Sequence, residues 1–318
     1  MKLYTDIFRQ SWTITKRNPV LWVLGVFILF WVNNSVDLEQ VFSSVRMFNS
    51  SWSPFRPEFW DISRWAALTD RVASQPQFFA PFLLILLALG LFVLLIITAA
   101  HVAIINAHAR NAVDYSFSAA LASTEHHMAP AMFIQCLNKV VMYGCIALAC
   151  VPFFFPQFGE WKALTATLVL MLTFPLMIIM SIVSKYALIG VVTRAMKTGD
   201  ALRTGWKMFR ANIGVSLEMA IMMVAIFASL NFISIVAALI VLSPIFIGAS
   251  LIAVTSFFYF PLFAHSMMVL VISFVLTLAS GALFSSWHLG NWTMLYQELE
   301  KEPLRSKAHR LLHKEKTS

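Results

Sequence analysis

Long apolar runs separated by short polar segments dominate the chain. The runs cover 19–32, 78–107, about 130–156 and 164–193, and a last stretch is almost unbroken apolar sequence from Val215 to Trp287. A helix needs about 20 apolar residues to cross a bilayer, so each of the first four runs predicts one membrane span, although 19–32 is slightly short. The pattern predicts an all-α fold, a polytopic transmembrane helix bundle.

The last apolar stretch determines the number of spans. It is too long for two simple helices and short for three, and Ser243-Pro244 and Phe260-Pro261 interrupt it. Proline removes a helical hydrogen bond and disfavours helix at the residue before it. We therefore expect 243–264 to form an outer hairpin, re-entrant or lying on the surface and covered by protein. This gives six spans; if 243–264 crosses the membrane, the number is odd.

Composition excludes a water-soluble domain. Of the 318 residues, 59% are hydrophobic and 12% are charged, whereas soluble domains carry about 25% charged residues. The net charge of +8 does not indicate nucleic-acid binding, because the basic residues lie between apolar spans and form no groove with interleaved aromatic residues. Membrane lipids are the partners that the composition predicts.

The distribution of Lys and Arg predicts the topology. Sixteen of them fall in the N-terminal segment, after the second and fourth apolar runs and in the C-terminal tail, against five in the segments on the other side. The positive-inside rule places the richer side in the cytoplasm. We therefore expect a multi-pass protein of the bacterial cytoplasmic (inner) membrane with both termini cytoplasmic and an outer loop at 33–77.

The outer loop has its own pattern. Its apolar residues recur every three or four positions, as on one face of a helix: Phe59, Ile62, Trp65, Leu68 and Val72. Two interpretations fit, an interfacial helix resting on the membrane or a lid over an outer cavity, and the first is the more ordinary.

An internal match links two segments that each precede an apolar run. Residues 6–18 (DIFRQSWTITKRN) align without a gap on 200–212 (DALRTGWKMFRAN). Asp6, Arg9, Trp12 and Asn18 recur as Asp200, Arg203, Trp206 and Asn212. An early Asp suits a helix start, Trp prefers the headgroup level, and the basic residues suit anionic lipid. The match predicts two cytoplasmic amphipathic helices, at 4–17 and 199–211, that lie along the membrane surface.

A weaker third copy falls at 117–133, where only Ala120 and Leu121 match and the Asp, Arg and Trp are missing. With it, the chain is a single transmembrane domain of three helical units followed by a tail. The units are 1–112, 113–195 and 196–297, and the basic cytoplasmic tail is 298–318.

The segments DIFRQSWTITKRNPVLWVLG, DALRTGWKMFRANIG and SSWHLGNWTMLYQELE together resemble a known type of membrane protein. They are similar to uncharacterised bacterial six-span membrane proteins, and to the membrane domain fused to some glycerophosphodiester phosphodiesterases. The resemblance implies a six-span membrane domain. It does not extend to the catalytic domain of those enzymes, so it transfers no catalytic residue.

Charged residues within the apolar runs are the candidate functional residues. Lys139, Lys185 and Glu218 each lie inside one, where charge is costly and often functional. One interpretation is that a Glu218–lysine pair lines a polar path through the membrane. The more ordinary interpretation is that these residues lie at the membrane interface and form one structural ion pair. In either case we expect Glu218 to face the bundle interior, within reach of Lys139 or Lys185.

No segment matches a phosphate-binding loop, a nucleophile elbow or a metal-ligand spacing. The sequence therefore predicts no catalytic residues, no metal site and no cofactor. Its first functional prediction is a non-enzymatic membrane protein that acts in envelope or lipid organisation, because of the basic, Trp-containing surface helices. The alternative is a small-solute or lipid transporter that uses a polar path near Glu218.

Overall fold

A computed structural model describes residues 2–30, 70, 74, 76–112, 114–154, 159, 161–256 and 260–301. The residues of the predicted helical face (Phe59, Ile62, Trp65, Leu68 and Val72) and the tail after 301 lie outside the described residues. All the regular structure within them is α-helical. The helices are α1 (Lys2–Arg17), α2 (Pro19–Phe30), α3 (Pro76–Ala109), α4 (Phe117–Thr124), α5 (Met128–Phe154), α6 (Lys162–Arg194), α7 (Thr198–Ala211), α8 (Ile213–Ser256) and α9 (Phe260–Lys301).

The predicted apolar runs coincide with helices. In the described part of the chain, four helical segments are long and apolar enough to cross a bilayer: Phe79–Ala109, Met128–Phe153, Lys162–Arg194 and Ile213–Leu230. Pro19–Ile28 is a shorter apolar helix. The protein is therefore a helical membrane protein.

The expected break at Ser243-Pro244 is wrong. Helix α8 continues through both residues to Ser256, and the next helix begins at Phe260 with Pro261 in its first turn, where proline is tolerated. A proline removes only one backbone donor, but unwinding a helix in hydrocarbon leaves several polar groups without partners. The cost of unwinding exceeds that of the proline, so the helix persists.

The helices pack tightly at one end of the bundle, which we call the packed end. Helices α3, α6 and α9 contact one another there, and α2 and α8 pack on α9 while α5 packs on α6. Tyr186 of α6 lies 5.8 Å from Trp292 and 6.1 Å from Tyr296 of α9 between ring centroids. All three aromatic side chains are fully buried, so they form the centre of the packed end.

The other end is apolar and loosely contacted. Six consecutive residues of α3, Phe82–Leu87, are exposed, and since a helix turns every 3.6 residues, they cover all of its faces. On α6 the exposed residues of this half lie on one face, where Leu172 is 80% exposed, and the opposite face packs on α5. Lipid is the environment that suits such a surface, so we call this half the lipid-facing end.

Helices α1, α4 and α7, each of 16 residues or fewer, lie around the packed end. Helix α1 packs on α9, α4 packs on α3, and α7 packs on α6. Each of them precedes an apolar helix in the sequence: α2, α5 or α8. Helices α1 and α7 end one residue before Asn18 and Asn212, so the two matched segments form separate helices of nearly the predicted extent.

Candidate functional site

The outward faces of α1 and α7 carry the same three kinds of residue at the same positions. Trp12 is 45% exposed and Trp206 is 46% exposed. Exposed basic residues lie three positions before and four positions after each of them, on the same helical face. We call these sets the cationic stripes: Arg9, Trp12 and Lys16 on α1, and Arg203, Trp206 and Arg210 on α7.

The stripes present charge to their surroundings. Within the described ranges, the ion pairs are Arg194 with Glu300 and Lys301 with Glu298, so the stripe cations lie outside both. The inward faces of α1 and α7 are apolar or small, with Ile7 and Phe209 buried. The stripes are therefore an exposed, basic and partly aromatic surface.

A second candidate lies inside the packed end, where polar side chains from four helices are buried, except that Lys185 is only partly buried. We call it the polar layer. Its members are Thr98 and His101 of α3, Gln135 and Lys139 of α5, Ser181, Ser184 and Lys185 of α6, and His288 and Asn291 of α9.

The height of the layer follows from helix lengths. About 20 residues of helix cross the hydrocarbon, so a helix that enters it at Lys162 leaves it near Ile182. Lys185 follows within one turn. About 20 residues counted from Phe79 along α3 end just before His101. The same number counted from Phe260 along α9 ends two turns before His288. By this count, Lys185, His101 and His288 lie at or beyond the end of the hydrocarbon at the packed end.

One part of the layer lies between α6 and α9. Lys185 donates a hydrogen bond to Ser181 Oγ at 3.0 Å, and its Nζ lies 5.4 Å from the ring centroid of Trp292. The Trp292 indole donates to Nε2 of His288 at 3.0 Å. The charge of Lys185 also acts on His288, so α6 and α9 present a cation and an imidazole to the same region.

Another part lies between α3 and α5. Thr98 Oγ1 donates to Gln135 Oε1 at 3.4 Å, and His101 Nδ1 contacts the Ile97 carbonyl at 2.7 Å. Lys139 is buried, and its charge acts on His101. The charges of both predicted lysines therefore act on histidines of the packed end.

Glu218 has a partner that sequence reasoning missed. The Tyr4 hydroxyl donates to Glu218 Oε2 at 2.7 Å, and it comes from a residue 214 positions away on α1. Glu218 is only partly buried. Its predicted pairing with Lys139 or Lys185 stays a prediction.

His288, Ser184 and Asn291 were also missed as site residues. Their signal is present in the sequence, because polar residues at i, i+3 and i+4 line one face of an apolar helix. Ser181, Ser184 and Lys185 have this spacing, and so do His288, Asn291 and Trp292. The spacing shows which residues share a face, but not that the two faces meet.

Comparison with protein-family models, with curated proteins and with solved structures finds no match to this chain. Function must therefore be argued from the stripes and the polar layer.

Proposed function

We propose that the protein is a non-enzymatic, six-span membrane protein that organises anionic lipid at the inner face of the bacterial cytoplasmic membrane. The observation that carries this proposal is the pair of cationic stripes, in which an exposed Trp lies between two exposed cations on both α1 and α7. Tryptophan favours the headgroup level, and each surface cation contributes about 1 kcal/mol of attraction to an anionic leaflet.

The arrangement of the helices supports a plan of three units, each with a surface helix and two spans. In this plan the surface helix of each unit packs on the second span of the unit before it: α4 packs on α3, and α7 packs on α6. Helix α1 of the first unit packs on α9 of the last, which closes the cycle. Asn18 and Asn212 also make the same local bond, in which the side-chain amide donates to the carbonyl four residues earlier, Ile14 or Met208. In this plan α2, α3, α5, α6, α8 and α9 are the six spans, and both termini are cytoplasmic.

Lipid retention tests the proposal. The full chain is purified from a membrane that contains phosphatidylglycerol, and the bound lipid is quantified by mass spectrometry. The variant R9Q/R203Q removes one cation from each stripe, and we expect it to retain several-fold less phosphatidylglycerol. The control R110Q/K197Q removes the same charge from exposed positions off the stripes. Equal retention by both variants would contradict a role for the stripes.

A small-solute or lipid transporter is the second candidate function. Glu218, Lys139 and Lys185 favour it, because charged side chains within apolar helices commonly line substrate pathways. In this case E218Q, reconstituted in liposomes, loses flux of fluorescent phosphatidylglycerol between leaflets. Absence of flux from the unaltered protein argues for the first function.

A further inference from the structure

Helix α4 differs from α1 and α7 on its exposed face. In the alignment of the third copy, alanine stands at both cation positions of the α7 stripe, and Glu125 stands at the position of Trp206. Glu125 is exposed, as is Asp114 just before the helix, and segment 111–138 contains no Lys or Arg. An anionic leaflet attracts cations and repels carboxylates, so α4 does not provide a third stripe.

The same face of α4 carries large apolar side chains. Phe117 and Leu121 lie about one turn apart and are 53% and 55% exposed, and Glu125 follows about one turn later. The opposite face packs on α3, where Ala120 is buried. The ion pairs within the described ranges include neither Asp114 nor Glu125. An apolar face between two carboxylates suits a partner that is both apolar and positively charged.

The last residues of the chain, 302–318, have the complementary pattern, and we call them the C-terminal segment. Its 17 residues include five basic and two acidic side chains. Its apolar residues recur at the spacing of one helical face: Leu304, Ala308, Leu311 and Leu312. The C-terminal segment therefore matches the α4 face in charge and in the arrangement of apolar positions.

The C-terminal segment begins close to α4. Gln297, one turn before the end of α9, donates to the Ala109 carbonyl at 3.0 Å. Asn106, also in the last turn of α3, donates to the Tyr115 hydroxyl at 3.3 Å, and that hydroxyl lies 3.2 Å from Ser123 Oγ of α4. The end of α9 and helix α4 therefore both adjoin the last turn of α3.

We propose that the C-terminal segment folds back onto α4 and covers Phe117 and Leu121, with its basic side chains against Asp114 and Glu125. Its length is sufficient, because 17 residues extend about 25 Å even as a helix and the eight residues of α4 extend about 12 Å. The contact ties the last span to the second unit. It also holds the cations of the C-terminal segment away from the anionic leaflet, and it does not rest on the lipid-organising function.

Disulfide formation in the full chain, purified in detergent with its native cysteines changed to alanine, tests the proposal. The variant S118C/H309C joins an exposed position of α4 to the C-terminal segment, and the control G199C/H309C uses the matched exposed position of α7. Helix α7 follows Arg194, which pairs with Glu300 near the end of α9, so the control also lies near the start of the segment. We expect several-fold more intramolecular disulfide in S118C/H309C, measured by mass spectrometry of peptides.

Equal yields in the two variants overturn the proposal. A disulfide that forms only between two chains also overturns it, because the segment then docks on a second copy.

Charge reversal tests the role of the two carboxylates. We expect D114K/E125K to lower the S118C/H309C yield several-fold, because it turns the attraction of the basic segment into repulsion. The control D6K/D200K makes the same change at exposed carboxylates of α1 and α7 and is expected to leave the yield unchanged. An unchanged yield in D114K/E125K contradicts the proposal.

F117S/L121S tests the apolar contact without a change of charge. Both side chains are exposed, so we expect thermal unfolding of the bundle to change little while the S118C/H309C yield falls several-fold. A full yield in this variant means that the segment does not cover the α4 face.

The anionic leaflet is the competing partner of a basic segment, and vesicles distinguish it from α4. The proposal expects the same S118C/H309C yield in vesicles of phosphatidylglycerol and of phosphatidylcholine. A yield that falls several-fold in phosphatidylglycerol alone shows that the segment binds lipid and overturns the proposal. That outcome leaves the stripes untouched, since lipid retention by R9Q/R203Q is measured separately.

Discussion

Asn18 connects three parts of the chain at the end of α1. Its side-chain amide donates to the carbonyls of Ile14 and Ala112, both at 2.9 Å, and its Oδ1 accepts from the Tyr115 backbone N–H at 2.8 Å. Its own carbonyl accepts from Leu21 in the first turn of α2. This one side chain therefore holds the α1–α2 junction against the α3–α4 connection.

Asn212 has the same residue type and position but fewer bonds. It keeps the bond to the carbonyl four residues earlier, at 3.1 Å to Met208, while its Oδ1 is buried without a partner in the described part of the chain. The matched segments therefore share local chemistry and differ in tertiary contacts.

We predict that N18A is more destabilising than N212A. Each lost hydrogen bond costs about 1 kcal/mol, and N18A also leaves the Tyr115 N–H and the Ala112 carbonyl without this partner, so we expect a loss of about 2–4 kcal/mol against about 1 kcal/mol for N212A. Thermal unfolding in one detergent measures both. Equal losses would show that the bonds to Ala112 and Tyr115 contribute nothing.

The Tyr4–Glu218 hydrogen bond can be measured by a double-mutant cycle. We predict that Y4F and E218Q each lower stability and that their effects are non-additive by about 1–3 kcal/mol, the range for hydrogen bonds to charged groups. If Glu218 also pairs with a lysine, E218Q costs clearly more than Y4F. Additive effects would mean that the two side chains do not interact in solution.

Close helix contacts at the element scale depend on glycine. A Cβ at Gly205 of α7 lies 2.8 Å from the Val183 carbonyl oxygen and 3.0 Å from the Ala187 nitrogen of α6. Both neighbours are backbone atoms and cannot move alone. Ser11, the matched position in α1, is also small and fully buried, and its hydroxyl donates to the Trp287 carbonyl of α9.

We predict that G205A separates α7 from α6 and destabilises the protein by about 1–3 kcal/mol, the usual cost of overpacking. The control G199A lies in the same helix with nothing within 4 Å of an added Cβ, so it is expected to be neutral or slightly stabilising. Limited proteolysis of the connection at 195–197 and thermal unfolding report the difference. Equal proteolysis of the two variants would contradict close docking of α7.

At the scale of the whole molecule, hydrogen bonds and an ion pair hold the helix ends together at the packed end. Gln297 donates to the Ala109 carbonyl at 3.0 Å, and Gln10 donates to Asn111 at 2.8 Å. Arg194 pairs with Glu300. Segments far apart in the sequence thus lie on one side of the membrane. Any topology of the protein must place these helix ends on the same side.

We predict that this side is cytoplasmic, as the positive-inside rule requires. In cells that express the chain with its three native cysteines changed to alanine, a membrane-impermeant thiol reagent should miss cysteines placed at Ser118 and Gly199, both exposed at the packed end. It should modify a cysteine at Trp161, which is 68% exposed at the start of α6. The reverse labelling pattern would invert the topology.

The sequence by itself determined the helical membrane class and much of the helix positions. Apolar runs longer than about 20 residues have few stable alternatives to a membrane helix, and so the runs at 78–107 and 164–193 coincide with α3 and α6. The ends of α1 and α7 before Asn18 and Asn212 were also predictable, because capping is a local effect. The predicted break at Pro244 was wrong, since the local cost of proline in a helix is smaller than the cost of unwinding α8 in hydrocarbon.

Only the tertiary structure decided which polar groups meet. Lys139, Lys185 and Glu218 could be singled out because charge at membrane depth is costly wherever it lies. Their neighbours could not be predicted, because Tyr4 reaches Glu218, and Lys185 reaches Trp292, across more than a hundred residues of chain. Such pairings depend on how the helices rotate and pack against one another. A pattern within one helix fixes the face on which a side chain lies, and only packing fixes what that face contacts.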